Sequence, residues 1–187
     1  MNKKKICASL LAVVGGTLLT LSMAVPANAA TTTGAADGGQ DCGVFIDTGV
    51  TVCVPDGADL HAAVAQQTGR TIVIGTAKTD AAAAASPLST QTTSYLLGRL
   101  YDDQNYGGSY EEFYGLNTGC SPSAGFGWVD IGSSWYGRVS AFHSYSSCKT
   151  KIFEKTNYGG ATYGFYAHSS YVGDAMNDRT KSVQFSY

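Results

Sequence analysis

The chain has 187 residues, 44% of them hydrophobic and only 14% charged, with 23 glycines, 12 tyrosines and a formal net charge of −2. Sparse charge with many glycines and aromatics favours short strands joined by turns over helices, with enough apolar material for a core. A chain without a basic excess is excluded as a general binder of nucleic acid or anionic membrane, which needs a basic face.

Lys3, Lys4 and Lys5 precede an almost wholly apolar run from Ile6 to Val25, and Pro26 leads into Ala27-Asn28-Ala29. This order of basic, apolar and small-x-small segments reads as a signal peptide over residues 1–29, and hence as a secreted, extracellular protein. The length of the run also suits an uncleaved anchor. Gly15-Gly16 and the A-x-A site favour cleavage after Ala29, which leaves no membrane segment. No lipobox precedes a cysteine, since Cys7 stands at the start of the run. Cleavage removes three lysines and no acid, so nine basic and fourteen acidic residues remain, a net charge of −5. Four cysteines also remain, Cys42, Cys53, Cys120 and Cys148, an even count that reads as two disulfides in a secreted chain. None has C-x-x-C spacing, which disfavours zinc or thioredoxin-type chemistry.

Residues 30–40 are small and polar and are expected to be disordered. Residues 41–76 are expected to form a small disulfide-closed β-β-α-β segment. Val44 and Ile46, then Val50, Val52 and Val54, alternate around Asp47-Thr48-Gly49, a hairpin signal. A turn centred between residues 47 and 48 sets Cys42 opposite Cys53 and leaves Cys120 to pair with Cys148. Asp59 is placed to cap a helix through Thr68, with Leu60, Ala63, Val64 and Gln67 at helical spacing and Gly69 as its stop. Thr71 to Ile74 reads as a third strand. A segment this small needs a staple or a neighbour to dock on. Residues 77–94, an alanine run followed by a Ser/Thr-rich stretch with Pro87, read as a linker and domain boundary.

From residue 95 to 187 the pattern is one of short strands, and it repeats. Tyr101-Asp102-Asp103-Gln104-Asn105-Tyr106-Gly107-Gly108 returns 52 positions later as Phe153-Glu154-Lys155-Thr156-Asn157-Tyr158-Gly159-Gly160. Each copy runs on to an aromatic pair, Phe113-Tyr114 and Phe165-Tyr166. The copies differ mainly in one loop, residues 116–134 in the first and 168–175 in the second. A duplication of this kind marks a folding unit used twice.

The motif Tyr101-x4-Tyr106-x-Gly108, with Phe153-x4-Tyr158-x-Gly160, resembles the first hairpin of βγ-crystallin Greek-key motifs. The resemblance implies an all-β fold, two Greek keys forming one sandwich of two four-stranded sheets over residues 95–187. It also implies calcium half-sites of the pattern N/D-N/D-x-x-S/T-S, with ligands shared between paired motifs. The second copy has Asn177-Asp178-Arg179-Thr180-Lys181-Ser182, with lysine where the hydroxyl ligand belongs. The first aligns best as Tyr136 to Ala141, pairing Arg138 with Arg179 and keeping only Ser140; a second register uses Asp130 with Ser133-Ser134. One composite calcium site is therefore expected, from Ser140, Asn177 and Asp178, weak or vestigial because a hard cation wants about six to eight oxygens.

Nothing here reads as an enzyme. His61, His143 and His168 adjoin no nucleophile motif and are expected to be exposed structural residues. Asp102-Asp103 and Glu111-Glu112 are adjacent acids, which alternate between the faces of a strand and make no working pair. They are expected to be solvated turn and edge charges. Trp128, Asp130 and Trp135, on the long glycine-rich loop, are the side chains least explained by folding and the candidates for partner contact. The expected function is that of a secreted non-enzymatic binding or structural protein, monomeric, with an extracellular protein or glycan as partner. The alternatives are a peptidase inhibitor working through the long loop, and a glycan-acting or killer-toxin-like protein. Calcium is the one cofactor expected.

Overall fold

A computed structural model of the protein describes residues 39–75 and 92–187. The signal peptide and all but the last three residues of the linker lie outside the described residues. Gln40 and Thr93-Ser94, expected in irregular chain, already belong to strands.

The N-terminal segment forms as its local chemistry dictates. Strands β1 (Gln40–Phe45) and β2 (Thr51–Pro55) pair antiparallel with Cys42 opposite Cys53 and Gln40 opposite Pro55. The turn between them is closed by a 2.9 Å hydrogen bond from the Phe45 N–H to the Val50 carbonyl. Helix α1 (Leu60–Thr68) starts at Asp59, whose carboxylate accepts from the Ala62 N–H at 2.9 Å, and ends at a left-handed Gly69. Such a cap stabilises a helix by roughly 0.5–2 kcal/mol. Strand β3 (Thr71–Val73) completes the β-β-α-β order.

The repeats supply β4 (Thr93–Tyr101), β5 (Tyr110–Leu116), β6 (Phe126–Trp128) and β7 (Ala141–Ser144), then β8 (Lys149–Phe153), β9 (Thr162–Tyr166), β10 (His168–Ser169) and β11 (Ser182–Ser186). They assemble into two sheets that exchange their third strands. The first runs β10-β7-β4-β5-β1-β2, with β3 parallel to β4; the second runs β6-β11-β8-β9. The fold is thus all-β, two Greek keys in a βγ-crystallin-like sandwich. The exchanged strands β6 and β10, three and two residues long in glycine- and serine-rich sequence, carry too little pattern to be read locally.

Among the described residues, one sheet keeps four strands and the other has seven. The extra three come from the N-terminal segment: β1 joins β5 in parallel, with Gly43 beside Glu112 and Val44 beside Phe113. Alternation along β5 separates two cores. Phe113 turns into the sandwich with Leu97, Leu100, Phe142, Ile152 and Phe185, its ring 5.5 Å from that of Phe185. Tyr114 turns outward and packs with Phe45, Leu60, Val64 and Leu96 beneath α1.

Both folded hairpins have the geometry that the repeated motif implies. The Tyr101 and Tyr106 rings stand 5.5 Å apart, as do those of Phe153 and Tyr158. Gly108 and Gly160 take φ of +70° and +79°, and a Cβ there would lie 2.9 Å and 3.0 Å from the side chains of Asp103 and Glu154. Glycine is required on both counts.

Candidate functional site

The two copies superimpose in their bonding as well as their sequence. Asp102 binds Arg138 through both carboxylate oxygens, at 2.8 and 3.1 Å; Glu154 binds Arg179 through one. The Asn105 N–H reaches the Ser170 carbonyl, and the Asn157 N–H reaches that of Val129, each at 2.8 Å. The Ile131 N–H donates to the Lys181 carbonyl and the Val172 N–H to that of Ser140. These pairs put Arg138 opposite Arg179, Trp128 opposite Ser169 and Trp135 opposite Met176. They agree with the register that aligns Tyr136–Ala141 with Asn177–Ser182.

Within that register, Ser140 and Asp178 lie on touching segments, since the Asp178 N–H donates to the Val139 carbonyl at 3.1 Å. Ser140 is buried, its N–H bound to the Tyr101 carbonyl. Asp178 is exposed and accepts from the Asn177 amide at 2.8 Å, while Asn177 Oδ1 is buried without a partner. Lys181 does not intrude: its ammonium stands 5.1 Å over the Tyr136 ring. Among the described residues no three or more His, Cys, Asp or Glu side chains cluster as metal ligands. One carboxylate, one amide oxygen and one hydroxyl are fewer than the about six to eight oxygens that a calcium ion takes.

Both disulfides form, Cys42–Cys53 and Cys120–Cys148. The second anchors the long loop near the start of β8. Trp135 is buried in the sandwich core, 2% exposed. Trp128, on β6, is half-buried. Asp130 is exposed and accepts from the Gly132 N–H at 2.8 Å and the Tyr136 hydroxyl at 2.6 Å.

The expectation of solvated edge charges fails for Glu111 and Glu112, which are 3% and 0% exposed. β5 is not an edge, because β1 covers it. The two acids do point to opposite faces. Glu112 turns outward beneath α1, where His61 Nε2 lies 2.8 Å away, Arg99 Nε donates at 2.9 Å, and the Tyr114 hydroxyl donates as well. Burial pushes the Glu112 carboxyl up, but the His61 hydrogen bond and the Arg99 charge outweigh it and hold it below the usual carboxylate range. The His61 imidazole is correspondingly raised by its hydrogen bond to Glu112. This saturated network fastens α1 to the sheet, so His61 is a structural residue but a paired one. His143 and His168 are cross-strand neighbours on β7 and β10, with rings 5.8 Å apart.

Glu111 turns inward and has no such company. Its Oε2 is buried and makes no hydrogen bond. Burial pushes its carboxyl well above the usual range, and the Arg138 charge pulls only partly against this. The side chain lines a cleft of about 230 Å³ together with Trp128, Asp130, Ser134 and Trp135 from the long loop. Cys42, Val44, Thr51 and Cys53 of the N-terminal hairpin form the opposite wall. Sequence reasoning reached the loop residues but missed Glu111 and the hairpin wall. The alternation that turns Phe113 into the core also turns Glu111 inward, and was the available signal.

Fold and cleft together define a βγ-crystallin-like sandwich with an added N-terminal segment and an acidic, aromatic-walled cleft. No protein-family model matches the chain, and no curated protein matches it. Among solved structures the chain is similar to a βγ-crystallin domain from Clostridium beijerinckii, at 19% identity and a TM-score of 0.38, over 48% of this chain and 97% of that one. It is similar to a βγ-crystallin domain from Flavobacterium johnsoniae at 16% identity and a TM-score of 0.36, covering 48% and 92%. A βγ-crystallin from Ciona intestinalis is 23% identical with a TM-score of 0.32, covering 46% and 94%.

Proposed function

We propose that the chain is a secreted, non-enzymatic binding protein that takes its ligand in the cleft between the first Greek key's long loop and the N-terminal hairpin. The observation that carries this reading is Glu111. A buried carboxyl oxygen left without a partner costs free energy on the order of 1–3 kcal/mol unless something satisfies it. Here the side chain that carries it lines a cleft with a half-buried indole on its rim. The two disulfides and the basic-then-apolar N-terminus support export to an oxidising compartment. Calcium is a weak second ligand at Ser140, Asn177 and Asp178. The test is capture of extracellular proteins and glycans on the immobilised full chain and on its Trp128→Ala variant. A species held by the parent and lost by the variant is expected, and equal retention by both would remove the cleft from the function.

A peptidase inhibitor is the second reading, and one observation favours it. Ser121 and Ala124 exchange backbone hydrogen bonds at 3.0 Å around an exposed Pro122-Ser123, and the adjoining Cys120–Cys148 bond anchors the turn. A pre-ordered, exposed turn loses little entropy on entering a protease cleft. Within the same capture experiment, a retained protease that the chain inhibits, with binding insensitive to Trp128→Ala, favours the turn over the cleft.

A further inference from the structure

The copies differ most sharply at the place where Glu111 stands, and the difference points to the ligand's chemistry. In the second copy Tyr163 takes the position of Glu111 and Ser169 that of Trp128. Their hydroxyls hydrogen-bond at 3.2 Å, and the Tyr163 ring packs against Phe142 with centroids 6.1 Å apart. That position is therefore satisfied from within. In the first copy the same position holds a carboxyl with an idle oxygen, and the corresponding wall has opened into the cleft.

The charges facing Glu111 are few. Asp130 shares the cleft, and β1 and β2 contribute only Cys42, Val44, Thr51 and Cys53 to it. Arg138 acts on Glu111 from the turn before β7, but its guanidinium is held by Asp102 at 2.8 Å and lies 4.7 Å over the Trp135 ring. Among the described residues, no Lys, Arg or His side chain lines the cleft. Two carboxyls and the half-buried Trp128 indole suit an incoming positive charge, which gains from the carboxylates and from the Trp128 face together, while Trp135 already carries Arg138.

We propose that the cleft binds an organic cation, an ammonium or guanidinium group, with Glu111 as its buried counter-charge and Asp130 as the acid at the mouth. The proposal rests on the cleft being the binding site and names the ligand class it takes. The group can arrive as a free amine or as the Lys or Arg side chain of a polypeptide. A raised Glu111 carboxyl adds a pH signature. The carboxyl is neutral below its own pKa and charged above it, so binding tightens as pH rises through its titration.

Both of the chain's two tryptophans line this cleft, so tryptophan emission, excited beyond the absorption of the twelve tyrosines, reports on it. The full chain is titrated with agmatine, cadaverine, an end-capped Lys/Arg peptide and Nα-acetylcitrulline methyl ester, which is neutral. Saturable emission changes are expected from the cations and not from citrulline. The free amines against the capped peptide distinguish the two sources. Glu111→Gln, isosteric and checked for folding by its melting curve, is expected to weaken cation binding about tenfold or more and to abolish its pH dependence. Asp130→Asn, on the exposed rim, weakens it less. Equal response to citrulline, or a Glu111→Gln variant that binds cations like the parent, overturns the proposal. Emission changes from a neutral oligosaccharide but from no cation overturn it while leaving the cleft as the binding site. Silence from every probe, with partner capture unaffected by Trp128→Ala, overturns both.

Discussion

Strands β5 and β9 are equivalents in the two Greek keys, yet every interior residue of β5 is buried while β9 is half-buried to exposed throughout. The local sequences begin alike, each with an aromatic hairpin and each ending in Phe-Tyr. What differs is the neighbour. β5 is covered on its open edge by β1 and on its outer face by α1, whereas β9 has β8 as its one neighbour among the described strands. A duplicated motif thus yields a protected copy carrying unusual buried charge and an open copy with ordinary surface chemistry. Cover allows Glu112 to be buried among His61, Arg99 and Tyr114, and lets Glu111 close the floor of a cleft. Buried ion networks of this kind are weak evidence for stability and stronger evidence of a fixed arrangement.

Three features that distinguish the copies are open to substitution or titration, in falling order of expected effect. The Cys120–Cys148 bond exists only in the first copy and closes a separation of 28 residues. Replacing both cysteines with serine is expected to lower stability by about 3–4 kcal/mol in the chain-entropy model. Urea denaturation measures this, and a loss well below that range would mean the long loop is held by packing alone.

The second point is a serine that only the second copy retains. Ser182 Oγ accepts from the Tyr158 N–H at 3.1 Å and donates to the Lys155 carbonyl at 2.7 Å, tying the folded hairpin to β11. The first copy has Ala141 there. Ser182→Ala removes two part-buried hydrogen bonds and is expected to cost about 0.5–1.5 kcal/mol. Thermal denaturation checks it; an unchanged melting temperature would show that the second hairpin, like the first, stands without the serine.

The smallest effect concerns calcium, where each copy keeps part of a site. At a concentration ten times the dissociation constant a ligand stabilises by about 1.4 kcal/mol. Millimolar calcium is therefore expected to raise the melting temperature by a few degrees at most, and Asp178→Ala to remove the rise. No shift for the parent would reduce Ser140, Asn177 and Asp178 to turn-forming residues.

Much of this architecture is readable locally. The hairpin turn at Asp47-Thr48 set the pairing of Cys42 with Cys53. Asp59 and Gly69 marked the ends of α1. The Tyr101 and Phe153 motifs placed both folded hairpins, and the alignment of Arg138 with Arg179 holds in the ion pairs they make. Apart from those ion pairs, which span 36 and 25 positions, each is decided by residues within about a dozen positions of one another. The composite calcium turn and the loop tryptophans were nameable, but their surroundings were not. Trp135 proves to be a core residue with one side on the cleft, while Trp128 lies on a strand too short to be recognised.

Neighbouring residues settle the elements whose energetics are local: turns that need positive φ, caps that satisfy helix ends, aromatic pairs within one hairpin, and a disulfide across one register. Only the tertiary structure decided that β1 runs parallel to β5, that β6 and β10 change sheets, and that Glu111 is enclosed rather than solvated. Each depends on pairing segments tens of residues apart. A carboxyl on a strand reads the same in sequence whether its strand is an edge or is covered. The cover comes from a segment some seventy positions earlier, with Cys42 beside Glu111, and no periodicity within β5 records it.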